Sequence, residues 1–251
     1  MKYELNKIYN ENCIDGMSKM PDKCVDITIT SPPYNLGKAL GVGGIDVYEG
    51  YNDDLKVDDY YFFIKKSVSE MIRVTKYHVF FNFQKLSNNR SAFNQLLYDF
   101  KDKIKEEFIW AKTNPPAPIH QYVVSSGFEY IICFSNEDCS VRNFKYCNFD
   151  NRQRTSGKMG IVTVSNCIIE KTNMDNRHDG IHACFPLWLP TYFIKYFSKE
   201  NDIIFDPFMG SGTTAVIAKK LKRRFFGFEI DKNRCEYANN RISSLPESGW
   251  F

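Results

Sequence analysis

A short apolar run that stops at two prolines constrains the fold of this chain more than any other feature. Residues 25–30 (Val-Asp-Ile-Thr-Ile-Thr) indicate a buried strand, and Pro32 and Pro33 follow directly after Ser31. Each proline fixes φ and lacks an N–H, so neither can continue a sheet ladder. Pro32 also keeps Ser31 out of the α region. The sequence therefore predicts a stiff, extended turn at the carboxyl end of a strand, where open α/β sheets bind ligands.

A glycine-rich turn late in the chain predicts a second part of the same site. Residues 203–206 (Ile-Ile-Phe-Asp) indicate a short strand, and Gly210 and Gly212 follow just before a helical stretch. Glycines let the backbone approach a ligand closely. Glu229 lies 17 residues after Gly212, at the end of the next apolar run. An acidic residue about 20 positions after such a turn accepts ribose hydroxyls in dinucleotide folds, so a nucleoside-containing cofactor is expected.

The two stretches together resemble the motifs of the S-adenosylmethionine-dependent DNA amino-methyltransferases, which methylate N4 of cytosine or N6 of adenine. The matching segments are Ser-Pro-Pro-Tyr at 31–34 and Asp-Pro-Phe-Met-Gly-Ser-Gly-Thr-Thr at 206–214, about 175 residues later. This order resembles the β group of the family. The resemblance implies an α/β, circularly permuted Rossmann-like methyltransferase fold. Its sheet is expected to be mostly parallel and seven-stranded, with an antiparallel hairpin at one edge.

The resemblance also implies a role for each motif residue. The Ser31 hydroxyl and the Pro32 carbonyl would accept the N–H groups of the target amine, Pro33 would stiffen the turn, and Tyr34 would stack on the base. S-adenosylmethionine is the implied cofactor. Its expected contacts are Asp206, Phe208, Gly210, Ser211, Gly212, Thr213 and Glu229, together with His182 and Asn12.

Two of these cofactor contacts have structural alternatives. Asn12 precedes Cys13 where family members often have an Asp-Cys pair, and an asparagine there equally suits the cap of the next helix. His182 belongs to a His-x-x-x-Pro segment that resembles the one around the methionine end of the cofactor. A hydrogen-bonded histidine at a helix entry is its alternative.

Ser31, in place of the aspartate common in adenine enzymes, favours cytosine N4 as the target atom, with adenine N6 as the alternative. Either amine is reached only after the base flips out of duplex DNA. Three further classes of protein are alternatives. A protein or RNA methyltransferase would carry the glycine turn first. A non-catalytic DNA-binding subunit would be expected to have lost a motif. A dinucleotide oxidoreductase would carry Gly-x-Gly-x-x-Gly, which this turn lacks.

The expected organisation has three parts: a catalytic half at 1–135, a target-recognition insert at 136–180 and a cofactor-binding half at 181–251. The insert is polar, with basic and aromatic residues interleaved, which suits phosphate contact and base stacking. The residues expected to bind DNA are Lys38, Arg142, Lys145, Arg152, Arg154 and Lys158. Double-stranded DNA is the expected partner, and a homodimer and a cognate restriction endonuclease remain open.

Composition excludes several other classes. The net charge is only +3, so any DNA-binding surface must be local. The eight cysteines form no Cys-x-x-Cys pair, which favours free thiols in a reducing cytoplasm over disulfides or a metal site. Apolar runs are too short to cross a membrane, and the first residues lack the apolar core of a signal peptide. A cytoplasmic enzyme without a bound metal is expected.

The helical periodicity of the chain also gives one sharp local prediction. Ile64, Val68, Met71 and Ile72 recur at helical spacing, so a helix is expected to end near Val74. Asp58 or Asp59 is expected to cap its beginning.

Overall fold

A computed structural model of the chain describes residues 3–37, 50–115, 117, 121–149, 164–172 and 186–245. Strands alternate with helices along most of this length. The strands are β1 (Lys7–Asn10), β2 (Val25–Thr30), β3 (Thr75–Phe83), β4 (Ile104–Lys112), β5 (Phe128–Ser135), β6 (Cys167–Glu170), β7 (Ile203–Asp206) and β8 (Arg224–Glu229). The helices are α1 (Cys13–Ser18), α2 (Val57–Val74), α3 (Arg90–Asp99), α4 (Trp188–Phe197), α5 (Thr213–Lys220) and α6 (Lys232–Ser243).

The strands form one sheet in the order β1-β8-β7-β2-β3-β5-β4-β6. Only β5 runs against its neighbours, pairing antiparallel with both β3 and β4, so the sheet is mostly parallel. The strand that precedes the prolines, β2, lies at the centre and pairs with β7, which precedes the glycine turn. Parallel pairing places the carboxyl ends of both strands at the same edge of the sheet, as the sequence predicts.

The predicted strand number was wrong: the described residues contain eight strands in this sheet, not seven. The additional strand, β6, pairs parallel with β4 outside the hairpin, so the β4–β5 hairpin lies one strand in from the edge. It comes from the polar segment that was expected to be an insert. Only Ile168 of its four residues is buried, so too little apolar periodicity was present to predict it.

Helices cover both faces of the sheet because its strands carry apolar side chains on both sides. Along β3, Phe80 packs into the core beneath α4, α5 and α6, whereas Phe81 and Phe83 pack into the core beneath α1, α2 and α3. All three rings are fully buried. Burial of one such side chain stabilises the fold by about 1.5–3 kcal/mol, so the two cores hold the sheet rigid around its functional edge.

The helix expected near Val74 ends there, but its predicted cap was wrong. It begins at Val57, and Lys56 at the N-cap makes no side-chain capping bond. Asp58 and Asp59 lie inside the first turn, where their charges favour the positive end of the helix dipole.

Candidate active site

The proline turn at 31–34 leaves β2 at Thr30 and is held by two buried side chains besides its own prolines. The Tyr60 hydroxyl, from α2, donates a 2.7 Å hydrogen bond to the Pro33 carbonyl. The Asn89 amide donates a 2.7 Å bond to the Tyr34 carbonyl. Tyr60 and Asn89 are completely buried. The turn is therefore preorganised by packing from outside as well as by its covalent stiffness.

Directly after the turn the chain passes through Asn35 with φ of 56°, a left-handed conformation that asparagine tolerates better than most residues. The Asn35 amide and the Leu55 backbone exchange two hydrogen bonds, of 2.9 and 2.7 Å. The Asp53 carboxylate accepts a 2.7 Å bond from the Asn35 N–H. These bonds attach residues 53–55 to the turn.

The Tyr34 hydroxyl lies at the centre of a buried polar network. It is 2.6 Å from Ser31 Oγ and 3.2 Å from Glu129 Oε2. The Asn82 amide donates to the Tyr34 hydroxyl at 2.7 Å and to Glu129 Oε2 at 2.8 Å. On its far side, Glu129 Oε1 forms a 2.7 Å ion pair with Lys112, and both of these side chains are more than nine-tenths buried. The network joins the turn to β3, β4 and β5.

The pKa of Tyr34 is raised well above its ordinary value, first because its hydroxyl is buried and second because the Glu129 carboxylate lies beside it. Tyr34 therefore keeps its proton at any physiological pH. Its ring is tilted against Phe83, with centroids 5.5 Å apart, and the side chain as a whole is only half-buried.

The glycine turn between β7 and α5 carries two residues in the left-handed region, Gly210 with φ of 53° and Gly212 with φ of 80°. A Cβ on Gly210 would meet no atom within 4 Å, so open space lies above this residue. The Glu229 carboxylate at the end of β8 accepts a 2.6 Å bond from the Gly210 N–H and a 2.9 Å bond from the Asp231 N–H. Burial raises the pKa of Glu229. Open backbone beside a buried carboxylate fits an approaching ribose.

Asp206 connects the glycine turn to the proline turn. Its Oδ1 accepts a 2.6 Å bond from the Thr30 hydroxyl and a 3.0 Å bond from the Phe208 N–H. Its Oδ2 accepts a 2.7 Å bond from the Thr214 hydroxyl, at the start of α5. Burial raises the pKa of Asp206 to about 6, against the lowering effect of these three bonds. Oδ1 thus links the two turns, whereas Oδ2 holds the start of α5 against the strand that precedes the glycine turn.

The other predicted cofactor residues that the structure describes surround this turn. Phe208 packs edge-on against Phe63 of α2, with centroids 5.9 Å apart. Ser211 and Thr213 are buried, and their hydroxyls lie 3.3 Å apart. Asn12 caps α1, where its side-chain oxygen accepts from the backbone N–H groups of residues 14 and 15. The capping alternative for Asn12 is therefore confirmed, and its contact with the cofactor stays a prediction.

Two predicted DNA-binding residues, Arg142 and Lys145, lie elsewhere in the described structure. His182, Lys38, Arg152, Arg154 and Lys158 fall outside the described residues. Arg142 is mostly exposed and pairs with Glu106 at 2.6 Å. Glu106 lies six residues before Lys112 on β4, about 20 Å away at 3.3 Å per residue. Lys145 is exposed, and its backbone N–H donates to Glu137. The structure does not bring Arg142 to the catalytic edge.

Sequence reasoning did not predict a site role for four strand residues that support the turn, namely Thr30, Asn82, Lys112 and Glu129. Each is polar and lies in an apolar strand run near the functional edge. A polar side chain in such a position was the available signal, but its partners come from distant strands.

Among the described residues, no group of three or more His, Cys, Asp or Glu side chains could hold a metal ion. No described helix is long and apolar enough to cross a membrane.

This sheet order and this pair of turns at one sheet edge fit the methyltransferase fold that the sequence predicts. The family model of the N6/N4 DNA methylases matches residues 25–240, and the chain belongs to that family. The Type II methyltransferase M.HinfI of Haemophilus influenzae is 24% identical over 252 residues, which cover 96% of this chain and 69% of that protein.

Solved structures share the fold. The cytosine-N4-specific PvuII DNA methyltransferase superposes with a TM-score of 0.69 at 17% identity, over 97% of this chain and 87% of the other. The complex of M1.HpyAVI with S-adenosylmethionine gives a TM-score of 0.57 at 18% identity, over 94% and 98%. These likenesses confirm the predicted methyltransferase fold.

Proposed function

We propose that this protein transfers the methyl group of S-adenosylmethionine to N4 of a cytosine flipped out of duplex DNA. One observation carries the proposal: the Thr30–Asp206 hydrogen bond joins the Ser-Pro-Pro-Tyr turn to the glycine turn at one sheet edge. Membership in the DNA methylase family supports the reaction class, and the cofactor bound in the M1.HpyAVI structure supports the donor.

The glycine turn fits the proposed cofactor. The space above Gly210 admits a ligand against the backbone, and the adjacent Glu229 carboxylate retains lone pairs for ribose hydroxyls. When bound, S-adenosylmethionine supplies a methyl group on a positively charged sulfur. Phe208, half-buried at the same turn, offers an aromatic surface beside it.

The proline turn is suited to bind an exocyclic amine that receives a methyl group. An exocyclic amine is a poor nucleophile because its lone pair is delocalised into the ring. Two acceptors aligned with its N–H bonds favour a pyramidal nitrogen and free that lone pair. Ser31 Oγ and the Pro32 carbonyl supply these acceptors, and the bonds that hold Pro33 and Tyr34 keep them in place. The half-buried Tyr34 ring offers a stacking surface, which offsets part of the cost of flipping the base.

The loop between β4 and β5 suggests how duplex DNA reaches this edge. It begins at Lys112 and returns at Phe128, beside the Glu129 network. Among its described residues, Tyr122 and Val124 are 83% and 92% exposed and offer apolar surface. Apolar side chains of this kind insert between base steps in other DNA-binding proteins. We place the duplex against this loop, whereas contacts from Arg142 and Lys145 remain a separate prediction.

Cytosine is proposed over adenine because position 31 is serine and because the PvuII enzyme that shares the fold is cytosine-N4-specific. The test is expression in a bacterial host that lacks amino-methylation of its own, followed by nucleoside analysis of its DNA. N4-methylcytosine is the expected product. Detection of N6-methyladenine alone would show that adenine, not cytosine, is the target base. If neither modified nucleoside is detected, the proposed reaction is refuted.

A further inference from the structure

Ser31 differs from an aspartate at the same position because its hydroxyl carries a proton whose direction must be set. A carboxylate only accepts hydrogen bonds, whereas the Ser31 hydroxyl is both donor and acceptor. If Ser31 is to accept an N–H of the target amine, its own proton must point elsewhere. The nearest described partner is the Tyr34 hydroxyl at 2.6 Å, and that bond can run in either direction.

The surroundings of Tyr34 favour one direction. The Tyr34 hydroxyl accepts a bond from Asn82 at 2.7 Å, and its own proton has two possible acceptors, Ser31 Oγ and Glu129 Oε2. If the proton goes to Glu129, Ser31 can donate to Tyr34, and every contact pairs a donor with an acceptor. If it goes to Ser31, lone pairs of Tyr34 and Glu129 face each other across 3.2 Å.

Asn82 is oriented by the same carboxylate. Its Nδ2 reaches both the Tyr34 hydroxyl and Glu129 Oε2, while its Oδ1 is buried with no hydrogen-bond partner in the described structure. Reversing the amide would set its oxygen 2.8 Å from a carboxylate oxygen. The arrangement therefore requires Glu129 to present an acceptor at Oε2.

We propose that Glu129, held by Lys112, is a positioning residue that orients the Tyr34 and Ser31 hydroxyl protons so that Ser31 Oγ faces the target amine as an acceptor. The inference rests on the proposed function and adds the reason why a serine serves in that place. Glu129 acts through Tyr34 and does not itself touch the base. The Tyr34 pKa agrees, since Tyr34 retains the proton that it donates.

Lys112 makes the proposal testable because it can only donate. In Glu129→Gln, the Gln oxygen must face Lys112 at the former Oε1 position, which leaves the NH₂ group facing Tyr34 and Asn82. Reversing the Asn82 amide, the other way to supply an acceptor, would bury its NH₂ group at the position where Oδ1 now has no hydrogen-bond partner. The Tyr34 proton is then left with Ser31 as its acceptor, and Ser31 becomes a donor toward the amine. Loss of one preorganised hydrogen bond to a reacting group predicts a single-turnover methylation rate about 100-fold lower, with cofactor and DNA dissociation constants nearly unchanged.

A double-mutant cycle separates this role from a merely structural one. Tyr34→Phe removes the hydroxyl and keeps the ring, so Glu129→Gln should have little further effect on the rate in that background. A 100-fold loss from Glu129→Gln in both backgrounds would overturn the proposal, because Glu129 would then act without Tyr34.

A second pair of variants covers the case in which Glu129→Gln fails to fold beside an unpaired Lys112. Both members carry Lys112→Met, which removes the buried charge, a change that buried ion pairs often tolerate. With Glu129→Gln, the free amide can turn its oxygen to Tyr34; with Glu129→Met, no acceptor remains. The Gln double variant should methylate at least about 10-fold faster than the Met double variant. Equal rates at equal cofactor binding would overturn the proposal. If the wild-type protein transfers no labelled methyl group to DNA, that result counts instead against the proposed function.

Discussion

The Thr30 hydroxyl donates a 2.6 Å hydrogen bond to the Asp206 carboxylate, and both side chains are buried at the centre of the sheet. The two residues are 176 positions apart in the chain, and each adjoins a different sequence motif. Thr30 precedes Ser31, and Asp206 opens the segment that ends in the glycine turn. This contact, together with the parallel pairing of β2 with β7, sets the position of the proline turn relative to the glycine turn.

The first prediction concerns this contact. Thr30→Val removes the hydroxyl and leaves an Asp206 oxygen one donor short, which should cost about 1–3 kcal/mol of unfolding free energy. The matched control is Thr28→Val, on the same strand, where the hydroxyl lies 2.6 Å from that of Thr75. Both variants should lose stability in chemical denaturation, but only Thr30→Val should also weaken S-adenosylmethionine binding in calorimetry. Equal cofactor affinities in the two variants would show that the Thr30–Asp206 bond does not support cofactor binding.

A second prediction follows from the pKa of Asp206, which lies at about 6 in the folded protein and near 3.8 in the unfolded chain. Between these values the folded state binds more protons, so the contribution of Asp206 to stability falls as pH rises from about 4 to about 6. Relative to Asp206→Asn, the wild type should lose on the order of 1–3 kcal/mol of unfolding free energy over this range. Urea denaturation at several pH values measures the difference, and parallel curves for the two proteins would contradict the shift.

The third prediction separates chemistry from cofactor binding. Tyr34→Ala should abolish methylation because it removes the stacking surface and the proton acceptor of Ser31. S-adenosylmethionine binding, measured by calorimetry, should stay within about threefold of wild type, since the cofactor turn is untouched. A fully active variant would show that Tyr34 does not take part in catalysis.

The glycine turn gives a fourth prediction with its own control. Gly210→Ala places a methyl group in the open space that the cofactor is proposed to occupy, so it should weaken cofactor binding at least about 10-fold. The left-handed backbone at this position should cost the variant about 1 kcal/mol of stability. Gly212→Ala would bring its Cβ to 2.9 Å from Ala238 Cβ, so its main effect should be on folding. Melting temperatures and calorimetric titrations of both variants test the contrast. A larger loss of affinity in folded Gly212→Ala than in Gly210→Ala would place the cofactor elsewhere.

The sequence predicts those parts of the site that depend only on the backbone preferences of a few consecutive residues. Consecutive prolines end β2 wherever that strand lies, and the glycines before α5 mark a turn in any context. The strand that follows, β8, ends at Glu229, and Asp231 caps the next helix two residues later. Such features need no knowledge of what is adjacent in space.

The remaining features depend on how distant strands pair. Asn82, Lys112 and Glu129 become one network only because β3, β5 and β4 lie side by side with Asn82 opposite Ile131 and Trp110 opposite Glu129. A shift of one residue would turn each side chain to the opposite face of the sheet. The short strand β6 has too few buried residues for its pairing to be predicted at all. These contacts are consequences of register, which no single stretch of the sequence encodes.

In the proposed reaction, a methyl donor at the glycine turn faces a nucleobase at the proline turn. The decisive measurement incubates the purified protein with duplex DNA and S-adenosylmethionine carrying a deuterated methyl group, and then analyses the nucleosides by mass spectrometry. Deuterated N4-methylcytosine is expected from the wild type, and none from a Ser31→Ala variant that still binds the cofactor. Folded, cofactor-bound wild-type protein that leaves every exocyclic amine unlabelled on DNA of diverse sequence would contradict the proposed reaction.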